Sequence, residues 1–236
     1  MSNILAIARR DLNGYFNSTA AYLLVVVYLN ISSFLFFTQL FLEGNADMRP
    51  FFSTAPLLLF ILTPLLTMRL LAEERAQGTL EALLVLPVTD WEVVLGKFLA
   101  ALGVLGTIIV LTLAFPLSVS MLGSLDWGTT IASYLGMLLM GGTYAAIGVM
   151  ASSLTKHQLI AGVIALVIGF GNFVLGSIAP ILPSWLQGTV TALSIHGHFQ
   201  NIARGVVDTR DVLFYLSVIG GCLLITQAKL ESRRWT

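Results

Sequence analysis

The stretch MRLLAEERAQGTLEALLVLPVTDWEVVLGK runs from Met68 to Lys97 and interrupts an otherwise apolar chain. It holds five of the twelve acidic residues of the protein, namely Glu73, Glu74, Glu81, Asp90 and Glu92. Long uncharged apolar runs lie on both sides of it. Because a polar segment between two membrane spans has to lie in water, we expect this stretch at a membrane surface.

The composition predicts an all-α integral membrane protein. Hydrophobic residues make up 57% of the 236 residues and charged residues 10%, against roughly 25% charged in an average soluble protein. The formal net charge is zero, so charge gives no indication of a nucleic-acid partner, and none is expected. The single cysteine, Cys222, lies in an apolar run, which excludes an intrachain disulfide framework and a cysteine zinc site.

Six charge-poor segments are long enough to cross the ~30 Å hydrocarbon core of a bilayer. The predicted spans are residues 20–42, 51–71, 93–122, 131–154, 159–181 and 212–228 of a single transmembrane domain, 1–236. Residues 1–16 show an amphipathic pattern that predicts an interfacial helix, with a plain cytoplasmic extension as the alternative. Residues 184–205 are apolar but interrupted by glycines and histidines, which favours a re-entrant segment at the outer interface over a seventh span.

The basic residues predict the orientation, because cytoplasmic loops carry an excess of Lys and Arg. With both termini in the cytoplasm, the inside set is Arg9, Arg10, Arg69, Arg75, Lys97, Lys156, Lys229, Arg233 and Arg234, and the outside set is Arg49, Arg204 and Arg210. This asymmetry predicts a multi-pass protein of the bacterial cytoplasmic (inner) membrane with both termini cytoplasmic. The charged stretch that follows the second span is then cytoplasmic as well.

The charged stretch has boundaries typical of two helices joined through a short third one. Gly78 breaks the first helix, and Thr79 can cap a new one. Pro87 prevents its continuation. Thr89 and Glu92 have the T-x-x-E spacing of a capping box, which starts the third span.

The short helix, residues 79–86, is amphipathic. Leu80, Leu83, Leu84 and Val85 lie around one side of it. An apolar face in the cytoplasm is costly to leave in water, so it should fill either a groove in a partner protein or the membrane surface. The pattern alone leaves both alternatives open.

Few polar groups lie inside the predicted spans. No Asp, Glu, Lys or Arg is near the middle of any span, which disfavours a proton-driven transporter because such proteins use intramembrane ionisable relays. Asn30, Gln39 and Asn172 are the candidate substrate-pathway residues, and the alternative is that neighbouring helices satisfy them. Small residues, Gly141 with Ala145 and Gly142 with Ala146, favour close helix packing within the bundle over a dimer seam.

The chain has no nucleotide site of its own. A phosphate-binding loop needs G-x-x-x-x-G-K-[ST], whereas Gly96-Lys97 is followed by Phe98 and lacks the upstream glycine. If ATP is used, another subunit binds it. An intramembrane metalloprotease is an unfavoured alternative: HExxH is absent, and the predicted topology places His196 and His198 across the membrane from Glu73 and Glu74. We expect no catalytic residues and no metal site.

The segment E-E-R-x-x-G-T-L-E-x-L-L-x-x-P, from Glu73 to Pro87, resembles the one that follows the second span in ABC-2 type transporter permeases. In that family it forms the coupling helix, which inserts into a cleft of the ATPase subunit. The six spans, the interfacial helix and the re-entrant segment also resemble this family. The resemblance implies that the ATPase-coupling residues are Glu73, Glu74, Arg75, Gly78, Thr79, Leu80, Glu81, Leu83, Leu84 and Pro87.

Two further stretches resemble one branch of the family. RRDLNGYF, residues 9–16, and HFQNIARGVVDTRD, residues 198–211, are similar to the gliding-motility-associated branch, whose relatives include the permease serving copper-site maturation of nitrous oxide reductase. The usual Ser-Pro after the Tyr-Phe pair is replaced here by Ser18-Thr19, which is a departure from the branch pattern.

The sequence thus predicts the membrane-spanning permease subunit of an ATP-driven ABC transporter. The resemblance implies two ABC ATPase subunits at the cytoplasmic face, which bind the ATP and Mg²⁺, and a second permease copy or a related permease. It also implies export. A membrane scaffold that recruits a cytoplasmic partner without transport is the alternative from another class.

Overall fold

The computed structural model describes residues 3–44, 47–79, 88–178 and 181–232, without the side chains of Glu43 and Ser184. Within these ranges the regular elements are helices. They are α1 Asn3–Phe16, α2 Thr19–Glu43, α3 Arg49–Thr67, α4 Ala72–Ala76, α5 Asp90–Thr112, α6 Ala114–Leu122, α7 Trp127–Leu154, α8 Gln158–Ile178, α9 Ser184–Leu193, α10 Ile195–Ile202 and α11 Thr209–Glu231.

Six helical segments of the described chain are long and apolar enough to cross a membrane. They are Thr19–Leu42, Arg49–Ala76, Asp90–Leu122, Trp127–Leu154, Gln158–Ile178 and Thr209–Glu231. The predicted all-helical fold with six spans is therefore confirmed. Most bounds differ by a few residues from the predicted ones, and the second span runs furthest beyond its predicted end because α4 follows α3 after one turn.

A proline explains why the third span consists of two helices. Pro116 has no N–H to donate to the carbonyl of Thr112, four residues earlier. The helix is interrupted at Leu113, and the hydroxyl of Tyr134 donates to the Thr112 carbonyl oxygen at 2.9 Å. A side chain of α7 thus satisfies the backbone acceptor that the proline leaves unpaired.

The longest helix, α7, lies at the centre of the bundle and contacts α3, α5, α8, α10 and α11. The small residues of α7 allow these helices to approach it closely. A Cβ at Gly142 would lie 3.3 Å from Leu102 of α5 and 3.5 Å from Ile219 of α11. One at Gly141 would lie 3.6 Å from Leu105. The small-residue positions predicted for close packing thus contact neighbouring helices of the same chain.

The two ends of the bundle differ. At one end, which we call the basic end because it holds Arg10, Arg69, Arg75 and Lys97, α1 packs along the first half of α5. At the opposite end, α9 and α10 connect α8 to α11, and α10 packs against the N-terminal part of α7. His198 of α10 lies 2.5 Å from Asp211 of α11, and the Tyr215 hydroxyl donates to the Ile195 carbonyl oxygen at 2.7 Å.

The close approach of α3 to α7 can be tested at Gly148. A Cβ there would collide with the Thr67 side chain, which is fully buried. Gly148→Ala should therefore lower the free energy of unfolding by about 1–3 kcal/mol. Unfolding of the detergent-solubilised protein by SDS measures this difference.

Gly220→Ala is the matched control for this experiment. Gly220 also lies within a spanning helix, but no heavy atom lies within 4 Å of the position that its Cβ would occupy among the described residues. Alanine is the better helix former, so this variant should gain about 0.5–1 kcal/mol. Equal losses in the two variants would contradict the packing described for α3 and α7.

Candidate functional site

A buried lysine links three helices at the basic end. The Lys97 ammonium of α5 lies 3.1 Å from Asp11 Oδ2 of α1 and 2.7 Å from Glu74 Oε2 of α4. Arg10 Nη2 lies 2.8 Å from both Asp11 Oδ1 and Glu74 Oε1. We call Arg10, Asp11, Glu74 and Lys97 the ion-pair cluster. Its two positive and two negative groups alternate, so each carboxylate contacts both cations.

The packing of α1 on α5 places these charges together. Ile7 Cγ2 lies 2.7 Å from the position of a Cβ at Gly96, and Leu12 Cδ1 lies 2.9 Å from that of a Cβ at Gly103. Two glycines, seven residues and so about two helical turns apart, thus form a seam that receives the apolar face of α1. Asp11 lies between Ile7 and Leu12 in sequence, and its carboxylate contacts the buried Lys97.

The charged groups of the cluster are largely buried, so each depends on its oppositely charged partners to replace the hydration that it loses. The side chain of Lys97 is 1% exposed, and those of Asp11 and Glu74 are 10% and 22% exposed. An ammonium group that is removed from water loses several kcal/mol of hydration unless anions compensate it. Burial acts to lower the pKa of the Arg10 guanidinium, but the bonds to Asp11 and the charges of Asp11 and Glu74 outweigh it, so this pKa is raised.

The short helix α4 is fixed to the end of α7. The Ser152 hydroxyl oxygen accepts from the N–H groups of Leu71 and Ala72 at 3.0 and 2.9 Å, and the hydroxyl donates to the Met68 carbonyl oxygen at 3.0 Å. Arg75 of α4 is buried and donates to the Thr155 carbonyl oxygen at 3.4 Å. Glu74 is thereby held at the cluster from the side of α7.

The other charged residues near α4 have different partners. Glu73 accepts from the Gln77 amide at 3.3 Å. Arg69 lies over the ring of Tyr15, 4.9 Å from its centroid, and its Nη1 lies 3.4 Å from Ser18 Oγ. The Tyr15 hydroxyl donates to the Leu66 carbonyl oxygen at 2.6 Å. The end of α1 is therefore also fixed to the end of α3.

The chain breaks at Gly78, as predicted. Gly78 has a φ of +73°, in the left-handed region that ends helices, and the Thr79 hydroxyl donates back to the Glu74 carbonyl oxygen of α4 at 3.2 Å. The role of Thr79 as the cap of the coupling helix stays a prediction. The predicted capping box is confirmed: Glu92 N–H donates to Thr89 Oγ1 at 3.3 Å, and Thr89 N–H donates to Glu92 Oε2 at 2.8 Å.

The centre of the predicted coupling helix lies outside the described residues, which end at Thr79 and resume at Val88. This range includes the predicted coupling residues Leu80, Glu81, Leu83, Leu84 and Pro87. Their roles therefore stay predictions. The structure does place the two chain segments that flank them, because Glu74 and Lys97 meet in the ion-pair cluster.

The three candidate pathway residues do not come together as a set of free polar groups. The amide of Asn172 donates to the Leu193 carbonyl oxygen at 2.9 Å and accepts from the Ile195 N–H at 2.6 Å, so both of its polar atoms bind the junction of α9 and α10. Asn30 donates to the Val26 carbonyl oxygen of its own helix at 2.8 Å. Gln39 is half-buried in α2.

The histidines and the glutamate pair lie far apart. Phe199 and Ile202 of α10 lie against Gly136 of α7, whereas α4 is bound to Ser152. These two positions of α7 are sixteen residues apart, about 24 Å along a helix. His196 and His198 therefore cannot share a metal with Glu73 and Glu74. Among the described residues there is no group of three or more His, Cys, Asp or Glu that could hold a metal ion.

Sequence reasoning missed Arg10 and Asp11 as members of this site. Of the four members, it had singled out Glu74, as a predicted coupling residue, and the structure places Lys97 against it. One signal was available in the sequence: Lys97 lies only seven residues after Asp90 in an apolar helix, and Asp11 is an acidic residue in the amphipathic N-terminal helix. Their pairing over 86 positions needed the tertiary structure.

The bundle and its charged end define a multi-pass α-helical membrane protein with a fixed junction at the basic end. Residues 3–216 match the family described as ABC-2 family transporter protein. The chain therefore belongs to the ABC-2 transporter permease family. It is also 31% identical over 142 residues to the "Probable multidrug ABC transporter permease YbhR" of Escherichia coli strain K12 and of strain O157:H7.

The similarity to these relatives is partial. It covers 57% of this chain and 37% of the relative in both cases. The chain thus matches little more than a third of the length of the curated relatives. The family assignment rests on the match over residues 3–216, and it supports the role of a transport permease.

The ion-pair cluster can be tested by removing its central charge. Lys97→Met keeps a side chain of similar length but leaves two carboxylates, Asp11 and Glu74, with Arg10 as their one cation in the cluster. The variant should lose about 3–5 kcal/mol of unfolding free energy, the usual cost of breaking a buried ion pair. SDS unfolding in mixed micelles measures the loss, and Lys156→Met, which removes an exposed lysine, should change stability by less than ~0.5 kcal/mol.

A compensating change separates charge from packing. In Lys97→Met combined with Glu74→Gln, the one uncompensated negative charge of the cluster is removed, so part of the loss should be recovered. If the loss in the double variant equals or exceeds the sum of the two single losses, the pairing of Lys97 with Glu74 does not stabilise this end of the fold.

The role of Asn172 can be tested against a second asparagine of the spans. Asn172→Ala leaves the Leu193 carbonyl and the Ile195 N–H without their partner, so it should cost about 1–3 kcal/mol for each group that stays dry. Asn30→Ala removes only a bond to its own helix and should cost less than ~0.5 kcal/mol. Similar losses in SDS unfolding would show that Asn172 does not hold the α9–α10 junction.

Proposed function

We propose that this protein is the membrane-spanning permease subunit of an ATP-driven transporter, and that separate ATPase subunits bind its basic end. The observation that carries the proposal is the ion-pair cluster. It joins α4 to α5, which precede and follow residues 80–87 in the chain, and it joins both to α1. Membership of the ABC-2 family supports the transport role.

The proposal includes the orientation and the source of energy. The basic end faces the cytoplasm, in agreement with the excess of Lys and Arg predicted there, and both termini are cytoplasmic. The chain has no G-x-x-x-x-G-K-[ST] sequence, so ATP and Mg²⁺ are bound by the partner subunits. A second permease copy completes the membrane part, and the gliding-motility-associated branch is the proposed subfamily.

The cluster explains how a push on residues 79–86 could move the spans. The two segments that flank the coupling helix are bonded to each other through Glu74 and Lys97. α4 is also bonded to α7 through Ser152. ATP-driven closure of the partner subunits would therefore shift α1, α4, α5 and α7 together, as a rigid-body movement. Flexible flanks would instead absorb the displacement.

The coupling helix provides the test. Leu83→Asp or Leu84→Asp places a charge on the predicted apolar face. A leucine side chain that fills a groove contributes about 1.5–3 kcal/mol, so either variant should weaken binding of the ATPase at least about tenfold. We would purify the tagged permease from native membranes and measure the co-purified subunit with a phosphate-binding loop, and its Mg-ATP hydrolysis.

Ala82→Asp is the matched control, because residue 82 lies on the side of the predicted helix away from Leu80, Leu83 and Leu84. It should leave co-purification and hydrolysis near the wild-type level, and all three variants should insert into the membrane. Normal ATPase binding and transport-linked hydrolysis in Leu83→Asp and Leu84→Asp would refute the proposed interface. A bound ATPase that no transported compound stimulates would favour a scaffold.

A further inference from the structure

A second feature lies at the end of the bundle opposite the ion-pair cluster. A cavity of about 500 Å³ opens there between α3, α7 and α10. This size is within the range of small-molecule sites in proteins. Its lining includes two arginines, two phenylalanines, a histidine and a glutamine, namely Arg49, Arg204, Phe52, Phe199, His196 and Gln200.

The cavity has an apolar floor. Phe52 and Phe199 line it and are 5% and 1% exposed. Gly136 of α7 lets α10 approach closely, since a Cβ there would lie 3.0 Å from Ile202 and 3.2 Å from Phe199. The aromatic floor is therefore fixed by helix packing.

The charged groups that line the cavity are two arginines, and no carboxylate lines it within the described part of the chain. Arg49 contacts Asp47 through Nε at 3.5 Å, which leaves most of its five N–H donors for other partners. The guanidinium of Arg204 has no carboxylate within 4.0 Å among the described residues.

The carboxylate of Asp126, nearby on the edge of a smaller neighbouring cavity, is already occupied. It accepts from the N–H groups of Gly128 and Thr129 at 3.0 and 3.2 Å, and from the Thr129 hydroxyl at 2.6 Å. These hydrogen bonds lower the pKa of Asp126, and the bond from the Thr129 hydroxyl contributes most. The charge of Arg49 also contributes to this shift, but Asp126 forms no ion pair with Arg49 or Arg204 within 4.0 Å, and its oxygens bind the start of α7.

The polar wall of the cavity is neutral. The Gln200 amide lies 3.0 Å from His196 Nε2, and burial lowers the pKa of His196. The imidazole is therefore uncharged at pH 7, and Nε2 accepts from the amide N–H. The two arginines are left as the groups that attract an anion, while His196 and Gln200 offer polar contacts beside them.

We propose that this cavity binds the phosphate headgroup of an anionic amphiphile, with the guanidinium groups of Arg49 and Arg204 on the phosphate and the adjoining apolar part along Phe52 and Phe199. Guanidinium groups bind phosphate through paired N–H donors. A phosphate alone would leave the aromatic floor uncovered, so the cavity suits a headgroup that is attached to an apolar chain. This binding requires no ATPase and extends the function proposed above.

Native mass spectrometry of the purified protein in a neutral detergent tests the proposal. Phosphatidylglycerol should bind about tenfold or more tightly than phosphatidylcholine with the same acyl chains, because both carry the phosphodiester but the two arginines repel the choline cation. Arg204→Gln should weaken the binding of phosphatidylglycerol about tenfold, and Arg49→Gln combined with Arg204→Gln should remove the preference. Competition with inorganic phosphate measures how much of the binding is due to the phosphate group alone.

Arg210→Gln is the matched control, because Arg210 is exposed at the start of α11 and is absent from the cavity lining. It should leave the lipid preference unchanged. Equal binding of the two lipids, an equal loss in Arg210→Gln, or displacement of phosphatidylglycerol by equimolar inorganic phosphate would each overturn the proposal. The three arginine variants can be compared with Leu83→Asp and Leu84→Asp for both lipid preference and ATPase binding, so failure here is distinct from failure of ATPase coupling.

Discussion

An ammonium group removed from water has to be given negative partners, and at Lys97 this requirement organises one end of the protein. The lysine side chain is 1% exposed and contacts Asp11 and Glu74. These partners come from helices far apart in sequence, so the lysine can be buried only when α1 and α4 are both in place. Arg10 completes the balance of charge because it contacts both carboxylates. The arrangement couples the fold of the N-terminal helix to that of the segment after the second span.

The rest of the bundle depends on close approach to α7. Gly136 admits α10, Gly141 and Gly142 admit α5 and α11, and Gly148 admits α3. In a membrane, where apolar surface gains little from leaving lipid, contacts of this kind supply much of the helix association. α7 also connects the two ends of the protein: Ser152 binds α4 at the basic end, and the region of Gly136 supports the cavity at the other.

The site shows where sequence reasoning succeeded and where it could not. The break at Gly78 and the capping box of Thr89 and Glu92 are local, since each involves neighbours within a few residues, and both were predictable. The pairing of Lys97 with Asp11 spans 86 positions. It depends on the glycines of α5 that receive α1, which no local pattern indicates. Asn172 is similar: its position in a span suggested a pathway residue, but its amide binds the backbone between α9 and α10.

The sequence by itself determined the membrane class, the six spans to within a few residues of their ends, and the capped start of α5, because long apolar segments and capping residues act over one helix at a time. It also determined the ABC-2 resemblance through the stretch from Glu73 to Pro87, and the match of residues 3–216 confirms the family. Only the tertiary structure decided which charges meet and which polar groups are already occupied. It also brought Arg49 and Arg204 to one cavity beside Phe52 and Phe199. These outcomes follow from the packing of helices that lie far apart in the chain, and the periodicity of a single helix contains no information about its neighbours.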